Sequence, residues 1–316
     1  MKRVDVAVPC YRYAHFLKEC VASILSQPGV EVRVCIIDDA SPDDTPAVAA
    51  ELAASDDRVT VRRHGSNRGH IVTYNEGLDW ATGDYLLLLS ADDVLVPGAL
   101  TRAVRVLEAY PQVSFVIGET LKTADPSKVT HNAPASVVFS VVQPLDWIRH
   151  FCRTGINFVG DATATAVVRT TAQQRAGHYR ADLPHAGDME MWMRLSMQGA
   201  VGRLQTTQAC YRQHAGAMHH KYIGIHDLRQ RKAAFDAFFN LHADRLSEGR
   251  ALWRLAHRQL ATEAMRNVVQ VPARSPAGDP EDWLDFARQT DEAIFAAFTR
   301  RWSDLTALAR RQAEKI

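Results

Sequence analysis

The chain has 316 residues, of which 47% are hydrophobic and 23% charged, and its formal net charge is +1 at pH 7. This composition is typical of a soluble globular protein, and the near-neutral charge argues against nucleic-acid binding as its main function. The N-terminus lacks the features of a signal peptide, and no segment has the roughly 20 apolar residues that span a bilayer. Five scattered cysteines without a CxxC pair favour a reducing cytoplasm over a disulfide framework.

The first 120 residues alternate between strand-like and helix-like segments. Apolar runs predict strands at 4–9, 32–37, 59–63, 85–91 and 113–117. Apolar residues at helical spacing predict helices between them, the second of which should begin with Ser41 as N-cap and Pro42 in the first turn. This alternation is typical of βαβ units, so we expect an α/β fold with a mostly parallel sheet flanked by helices.

The pattern changes after about residue 120. We predict an irregular region to about residue 215, with a strand at 163–169 and a helix at 188–198. From residue 222 onward the pattern is helical, with helices at 225–267 and 281–313 on either side of a Pro- and Gly-rich linker. The sequence therefore predicts an α/β domain at 1–220 and a helical extension at 221–316, which could serve packing, dimerisation, or contact with an acceptor or membrane.

Two adjacent aspartates, Asp92 and Asp93, follow the most apolar run in the chain, residues 85–91. A strand of this kind is typically buried on both faces and delivers its last residues to the carboxyl edge of the sheet, where ligands bind in open α/β folds. Two carboxylates there indicate a divalent metal that holds a phosphorylated substrate. The alternative is a solvated turn that leads into the helix at Pro97.

The turns between strands and helices exclude several nucleotide-binding folds. The turn after the first strand contains no glycine, which argues against a dinucleotide-binding dehydrogenase. The sequence contains neither a P-loop nor the GxSxG elbow of α/β hydrolases. What remains is a site in which Tyr11 could stack on a base, Asp39 could accept the imide N–H of a uracil, and a metal at Asp92 and Asp93 could neutralise a diphosphate.

An ordered set of short motifs resembles family 2 glycosyltransferases of the GT-A-type fold. The resemblance covers about residues 3–220. Its segments are VAVPCYR at 6–12, IIDDAS at 36–41, NRG at 67–69 with Asn75, ATGDY at 81–85, SADD at 90–93, GDMEMWMRL at 187–195 and YRQH at 211–214.

The resemblance implies a nucleotide-sugar site. It places Pro9, Tyr11, Asp39 and Asn67 at the nucleotide, whereas Asp38 is expected to brace the loop through a nearby backbone amide. It further implies that Asp92 contacts the ribose and, with Asp93 and His214, binds Mn²⁺ or Mg²⁺. The chain departs from the common D-x-D-D form at Ser90, which leaves open which of Asp92 and Asp93 is the metal ligand.

The same resemblance assigns Asp188 as the general base of an inverting sugar transfer. The alternatives are that Asp188 only caps its helix, or that Glu190 is the base. Asp161 and Trp192 fall where the family places acceptor-side residues.

Together these features predict an inverting glycosyltransferase that moves a sugar from a nucleoside-diphosphate donor, with UDP favoured, to a carbohydrate or lipid-linked acceptor. We expect a role in cell-surface polysaccharide or glycoconjugate synthesis and a cytoplasmic location, including the inner face of the membrane. Arg250, Arg254 and Arg258 recur at helical spacing on one face of a predicted helix, which is compatible with peripheral membrane contact. The C-terminal helices are compatible with a homodimer. The alternatives are a catalytically silent nucleotide-sugar-binding protein and a nucleotidyltransferase.

Overall fold

The computed structural model describes residues 1–126, 138–157, 164–214, 216, 222–270 and 278–301. Its N-terminal part alternates strands and helices, as the sequence predicts. The strands are β1 (Arg3–Cys10), β2 (Glu31–Asp38), β3 (Val59–Arg63) and β4 (Tyr85–Leu88). The intervening helices are α1 (Ala14–Leu25), α2 (Thr45–Ser55) and α3 (His70–Trp80).

The following segments complete the sheet and cover it. The strands are β5 (Val94–Leu95), β6 (Val113–Thr123), β7 (Phe139–Val142), β8 (Val167–Arg169) and β9 (Ala200–Arg212). The helices are α4 (Ala99–Ala109), α5 (Pro144–Thr154), α6 (Thr170–Ala176) and α7 (Gly187–Ser196).

The strands form one mixed sheet in the order β3-β2-β1-β4-β8-β6-β9-β5, and β7 also pairs with β9. The four strands that come first in the sequence are parallel. β8 is antiparallel to both of its neighbours, whereas β6 and β9 run parallel. Side chains on both faces of β1 are buried, with Val4, Val6 and Val8 on one face and Ala7 on the other, as expected for a central strand that helices cover on both sides.

The chain divides into two compact units. The first comprises residues 1–147 and 158–217 and contains the sheet. The second comprises residues 148–157 and 218–316, and its described part contains α8 (Ile225–His242), α9 (Gly249–Gln270) and α10 (Pro280–Thr290). Within the described ranges, no helix is both long enough and apolar enough to cross a membrane.

Buried charges tie the helices of the second unit together. Arg231 pairs with Asp227 in its own helix and with Glu263 in α9, and it donates to the carbonyl of Gly155. This pattern explains why residues 148–157 group with the C-terminal helices, a long-range contact that the sequence pattern did not indicate.

Several elements differ from the sequence predictions. The apolar run at 85–91 is a strand only to Leu88, because the chain turns before the aspartates. The helix expected from Ser41 begins at Thr45, with Pro46 in its first turn. The strand expected at 163–169 begins at Val167, and the helix expected from residue 281 ends at Thr290.

The segment expected to be helical over 225–267, continuous or broken, is two helices separated by a short 3₁₀ turn at Ala243–Arg245. The region expected to be irregular, from about residue 120 to about residue 215, also contains α5, α6, β7 and β9.

Candidate active site

A network of hydrogen bonds joins the carboxyl ends of β1 and β2. The backbone amide of Asp39 donates to the carbonyl of Cys10 at 3.0 Å, and that of Arg12 donates to Oγ of Ser41, also at 3.0 Å. Arg12 and Ala40 have φ values of 66° and 57°, a region that residues with a side chain seldom adopt. The turns after these two strands are therefore held in strained conformations by the surrounding contacts.

Asp38 braces this turn, as predicted. Its Oδ1 accepts a hydrogen bond from the amide of Ser41 at 2.9 Å, and its Oδ2 lies 3.1 Å from Nε of Arg63. The backbone and side chain of Ser41 are both used within the turn, which explains why Ser41 does not cap the following helix.

The carboxylate of Asp39 organises the loop that precedes α3. It is only 4% exposed, and it accepts hydrogen bonds from the amides of Arg68 at 2.7 Å and Gly69 at 2.9 Å. Nδ1 of His64 lies 2.7 Å from its Oδ1, and the side-chain amide of Asn67 donates to its backbone carbonyl at 3.3 Å. Asp39 therefore fixes the loop at 67–69 against the end of β2.

The other predicted nucleotide-side residues differ in their exposure. Tyr11 follows β1 and is 39% exposed, and the guanidinium of Arg12 lies 5.9 Å from the centre of its ring. Pro9 is half-buried in β1 and pairs with Ile37 of β2. Asn67 is exposed. Tyr11 and Asn67 are thus open to a ligand, whereas Asp39 is mostly covered.

A tight turn carries the acid pair beyond β4. The amide of Leu89 still bonds to the carbonyl of Ala7 in β1 at 3.0 Å, and the amide of Asp93 donates to the carbonyl of Ser90 at 3.0 Å. Sγ of Cys20 lies 3.7 Å from the same carbonyl. Ser90 accepts both of these bonds through its backbone carbonyl, which any residue supplies, so the turn does not depend on an acid at this position.

Arg212, the last residue of β9, holds the turn in place through contacts with both aspartates. Its amide donates to Oδ1 of Asp93 at 3.0 Å, and its Nε donates to the backbone carbonyl of Asp92 at 2.8 Å. The guanidinium also pairs with Glu19 at 2.5 Å and lies 4.4 Å from the ring centre of Phe16. Arg212 belongs to the YRQH segment of the resemblance, which does not mark it for this role.

The two carboxylates of the pair have different surroundings. Oδ2 of Asp92 lies 2.9 Å from Nε2 of His214, and the Asp92 carboxylate also interacts with the hydroxyl of Tyr13. Its Oδ1 is buried and has no hydrogen-bond partner of standard geometry among the described residues. The ring of His214 packs against Tyr13, with ring centres 5.4 Å apart. Burial, together with the neighbouring charge of Asp92, raises the pKa of Asp93 well above its usual range. Asp92 and Asp93 therefore bring two acidic groups together in a buried environment, where two negative charges are costly.

These residues supply an incomplete set of metal ligands. Within the described part of the chain, no group of three or more His, Cys, Asp and Glu side chains has the arrangement of a metal site. The unpartnered oxygen of Asp92 is nevertheless the kind of hard ligand that Mg²⁺ and Mn²⁺ prefer, and such ions commonly bind through one or two carboxylates plus substrate phosphates. The residues fit a cation that binds together with a phosphorylated ligand.

Asp188 lies in the first turn of α7, where the helix dipole favours a negative charge. Burial raises the pKa of both Tyr74 and Tyr179, and the charge of Asp188 raises it further. Burial likewise raises the pKa of Tyr211 to about 12, with added effects of Asp93, Asp92 and Asp188. The fold thus brings Asp188 and the acid pair to one cluster of tyrosines, although about 95 residues separate them in the sequence.

The segment that leads into α7 is tied to α3. The side chain of Asn75 forms two hydrogen bonds with the backbone of Tyr179, donating to its carbonyl at 2.9 Å and accepting from its amide at 2.8 Å. Nε2 of His70 lies 2.7 Å from the carbonyl of Pro184. Asn75 was part of the resemblance without an assigned role, and the structure gives it one: it fixes the approach to Asp188.

Around α7 the structure removes one alternative and corrects one prediction. Glu190, the alternative base, is fully buried and forms a two-point ion pair with Arg194, both contacts being 2.7 Å long, so its carboxylate has a structural role. Trp192 is 4% exposed and stacks on Phe115 with ring centres 5.6 Å apart, so it packs in the core and does not face an acceptor. The remaining acceptor-side residue, Asp161, lies outside the described residues.

Comparison with known proteins identifies the family. The model of glycosyl transferase family 2 matches residues 5–175, more than half of the chain. An uncharacterized protein of Mycobacterium tuberculosis is 30% identical over 215 residues, which cover 63% of this chain and 63% of that protein. The chain thus spans less than two thirds of that relative's length.

Two solved structures share the fold. S. aureus TarS 1-349 in complex with UDP-GlcNAc matches with a TM-score of 0.62 and 16% identity, over 96% of this chain and 92% of that one. The mannosyltransferase PcManGT from Pyrobaculum calidifontis, in complex with GDP-Man and Mn²⁺, matches with a TM-score of 0.55 and 20% identity, over 97% and 84%. With its mixed sheet flanked by helices, the chain has the GT-A-type fold and belongs to glycosyl transferase family 2.

Proposed function

We propose that this protein is a glycosyltransferase that transfers a sugar from a nucleoside-diphosphate donor, with UDP favoured, to an acceptor hydroxyl, with inversion at the anomeric carbon. The observation that carries the proposal is the buried oxygen of Asp92 that has no hydrogen-bond partner among the described residues. A buried carboxylate oxygen without a partner is costly, and a bound cation with a diphosphate offsets that cost.

The nucleotide end of the site is supported by the surroundings of Asp39. Tyr11 presents an exposed ring on which a base can stack, and Asn67 is also exposed. Oδ2 of Asp39 accepts a hydrogen bond from the amide of Gly69 at 2.9 Å and retains capacity to accept the imide N–H of uracil. TarS, which shares the fold, binds UDP-GlcNAc, and the mannosyltransferase binds GDP-Man.

Asp92, Asp93 and His214 would hold a Mn²⁺ or Mg²⁺ ion. When bound, the cation supplies positive charge beside the diphosphate leaving group. Arg212 contributes by keeping the turn that carries both aspartates in one conformation, through its contacts with Asp92 and Asp93. The mannosyltransferase with the same fold is bound to Mn²⁺.

Asp188 would act as the general base. The acceptor oxygen forms a bond to the anomeric carbon, the bond from that carbon to the diphosphate oxygen breaks, and the acceptor's proton passes to Asp188. Attack from the face opposite the departing diphosphate inverts the anomeric configuration. The position of Asp188 in the first turn of α7 favours its ionised, proton-accepting form, and Asn75 fixes the preceding segment through Tyr179.

The acceptor would be a carbohydrate or a lipid-linked sugar, in cell-surface polysaccharide or glycoconjugate synthesis. Residues 1–220 would form the catalytic domain, and 221–316 a helical extension that contacts a membrane or a second copy. Arg250, Arg254 and Arg258 support the membrane option, because all three are exposed on α9.

The test combines binding with turnover. UDP affinity would be measured by calorimetry with Mn²⁺ and with EDTA, and the hydrolysis of a panel of UDP-sugars would be measured for the wild type and Asp188→Asn. We expect Mn²⁺-dependent UDP binding in both proteins and a loss of turnover of about 10³-fold in the variant. Asp182→Asn, a neighbouring exposed aspartate, is the matched control and should retain activity.

Two outcomes would contradict separate parts of the proposal. UDP binding that EDTA leaves unchanged would remove the metal role of Asp92 and Asp93. Full turnover in Asp188→Asn would remove Asp188 as the base.

A further inference from the structure

His64 connects the nucleotide-side loop to helix α3. It directly follows β3, and its amide donates to the carbonyl of Asp38 at 2.9 Å. Its ring is buried between two carboxylates, with Nδ1 2.7 Å from Oδ1 of Asp39 and Nε2 2.8 Å from Oε2 of Glu76 in α3. Both ring nitrogens therefore face acceptors at hydrogen-bond distance.

Only the protonated ring satisfies this geometry. A neutral imidazole has one N–H, so the nitrogen without a proton would direct a lone pair at a carboxylate oxygen at less than 3 Å. The charged groups that act on the ring are Asp39 and Glu76, and Glu76 is paired in turn with Arg62 at 3.3 Å. Burial lowers the pKa of His64, but its bonds to both carboxylates outweigh this effect and raise it overall.

We propose that His64 is a positioning residue for donor binding, an imidazolium that holds Asp39 in its nucleotide-facing position and weakens donor binding when it loses its proton. The inference rests on the proposed nucleotide role of Asp39. When the proton leaves, His64 keeps its bond to one of the two carboxylates and repels the other. Asp39 also holds the amides of Arg68 and Gly69, so a shift of its carboxylate loosens the whole loop at 67–69.

The experiment measures UDP affinity by calorimetry in Mg²⁺ buffer between about pH 6 and about pH 8.5, the range in which histidines titrate. Four full-length proteins are compared: wild type, His64→Gln, Glu76→Gln and His178→Gln. His178 is a matched control, because it is an exposed histidine that pairs with another α3 carboxylate, Asp79, at 2.7 Å. Titration of the UDP phosphate occurs with all four proteins and cancels when they are compared at the same pH.

We expect wild-type affinity to fall about tenfold more across this range than the affinity of His64→Gln, which should already bind weakly at the acid end. In Glu76→Gln the hydrogen bond to Nε2 can persist, but a charge that favours the imidazolium is gone. The fall in affinity should therefore move to lower pH by about one unit. His178→Gln should follow the wild type.

The role of His64 is overturned if His64→Gln reproduces the wild-type pH profile. If His64→Gln does not fold, Glu76→Gln decides, and an unshifted profile overturns the role. A wild type that binds no UDP at any pH overturns the proposed function itself, and the role of His64 with it. UDP binding with a pH profile that is the same in all four proteins overturns the role of His64 alone.

Discussion

Two pairs of adjacent aspartates follow parallel strands of the same sheet, and the surroundings of Asp39 differ from those of Asp92. Asp38 and Asp39 follow or end β2, and their oxygens accept bonds from backbone amides or face Arg63 and His64. Asp92 and Asp93 follow β4, and one oxygen of Asp92 has no hydrogen-bond partner in the described part of the chain.

The difference distinguishes Asp39, whose carboxylate holds a loop in place, from Asp92, whose carboxylate is available to bind a ligand. A carboxylate that accepts backbone N–H bonds stabilises a loop, whereas one without such donors retains charge for a cation or substrate. Two Asp-Asp pairs at the same edge of the sheet thus have different roles, which their hydrogen-bond partners distinguish. The following substitutions test this comparison.

The largest effect is expected from Asp92→Asn. It should lower kcat/KM for a UDP-sugar by at least about 100-fold, because the charge that faces the donor is lost. The free energy of unfolding should change by less than about 1 kcal/mol, since no backbone donor depends on the free oxygen. Turnover assays and urea denaturation measure the two quantities, with the exposed Asp57→Asn as control. A loss of stability as large as that of Asp39→Ala would contradict the comparison.

Asp39→Ala should show the opposite balance. Removal of this buried carboxylate leaves the amides of Arg68 and Gly69 without their acceptor, so we expect the free energy of unfolding to fall by about 2–3 kcal/mol. Urea denaturation measures the change, and Asp57→Ala provides a solvent-exposed reference. An unchanged midpoint would mean that the loop at 67–69 does not depend on Asp39.

Asp93→Asn should stabilise the metal-free protein by about 1 kcal/mol at pH 7 while lowering activity. Burial and the charge of Asp92 raise the pKa of Asp93, so folding favours its neutral form. In the wild type, Asp93 therefore costs the folded protein nothing below the ordinary pKa of an aspartate, and its cost grows as the pH rises through the raised value. Thermal denaturation with EDTA should therefore show a gain at pH 7 that shrinks in acid. A lower melting temperature at pH 7 would contradict this assignment.

The smallest effect concerns stability near the first pair. The pKa of His64 is raised above its ordinary value of 6.5, so its contribution is full below that value and is lost as the pH rises through the raised pKa. The pKa of Glu76 is lowered, and its contribution is lost only as the pH falls through that lowered value. Thermal denaturation against pH should show a decline on the alkaline side that His64→Gln removes and His178→Gln retains.

The parallel part of the fold was predictable because it depends on local patterns. Apolar runs and helical spacing gave β1 to β4 and their helices, and the acid pairs marked the carboxyl edge. The end of β4 was not predictable from the run at 85–91, because the turn depends on Arg212, 119 residues further along the chain than Asp93. Ser41 failed as a helix cap for a similar reason, since Asp38 and Arg12 use its polar groups.

The candidate site, too, was predictable only where it depends on local patterns in the sequence. Acids at strand ends and the exposed Tyr11 could be selected from residue type and place. The ion pair of Glu190 with Arg194 and the stacking of Trp192 on Phe115 depend on the packing of α7 in the fold, which periodicity does not specify. His64 gave no signal, because a single histidine after a strand is indistinguishable from a surface residue until its two carboxylate partners are placed beside it.

The contacts of Arg212 with Asp92 and Asp93 have a consequence for when their turn can form during synthesis of the chain. Asp92 and Asp93 leave the ribosome long before Arg212, the final residue of β9. Until β9 has been made and has paired with β6, nothing supplies the bonds to Asp93 Oδ1 and the Asp92 carbonyl. A nascent or truncated chain that ends before residue 212 therefore lacks these bonds, so the turn at Asp92 and Asp93 is held in place only after most of the sheet is complete.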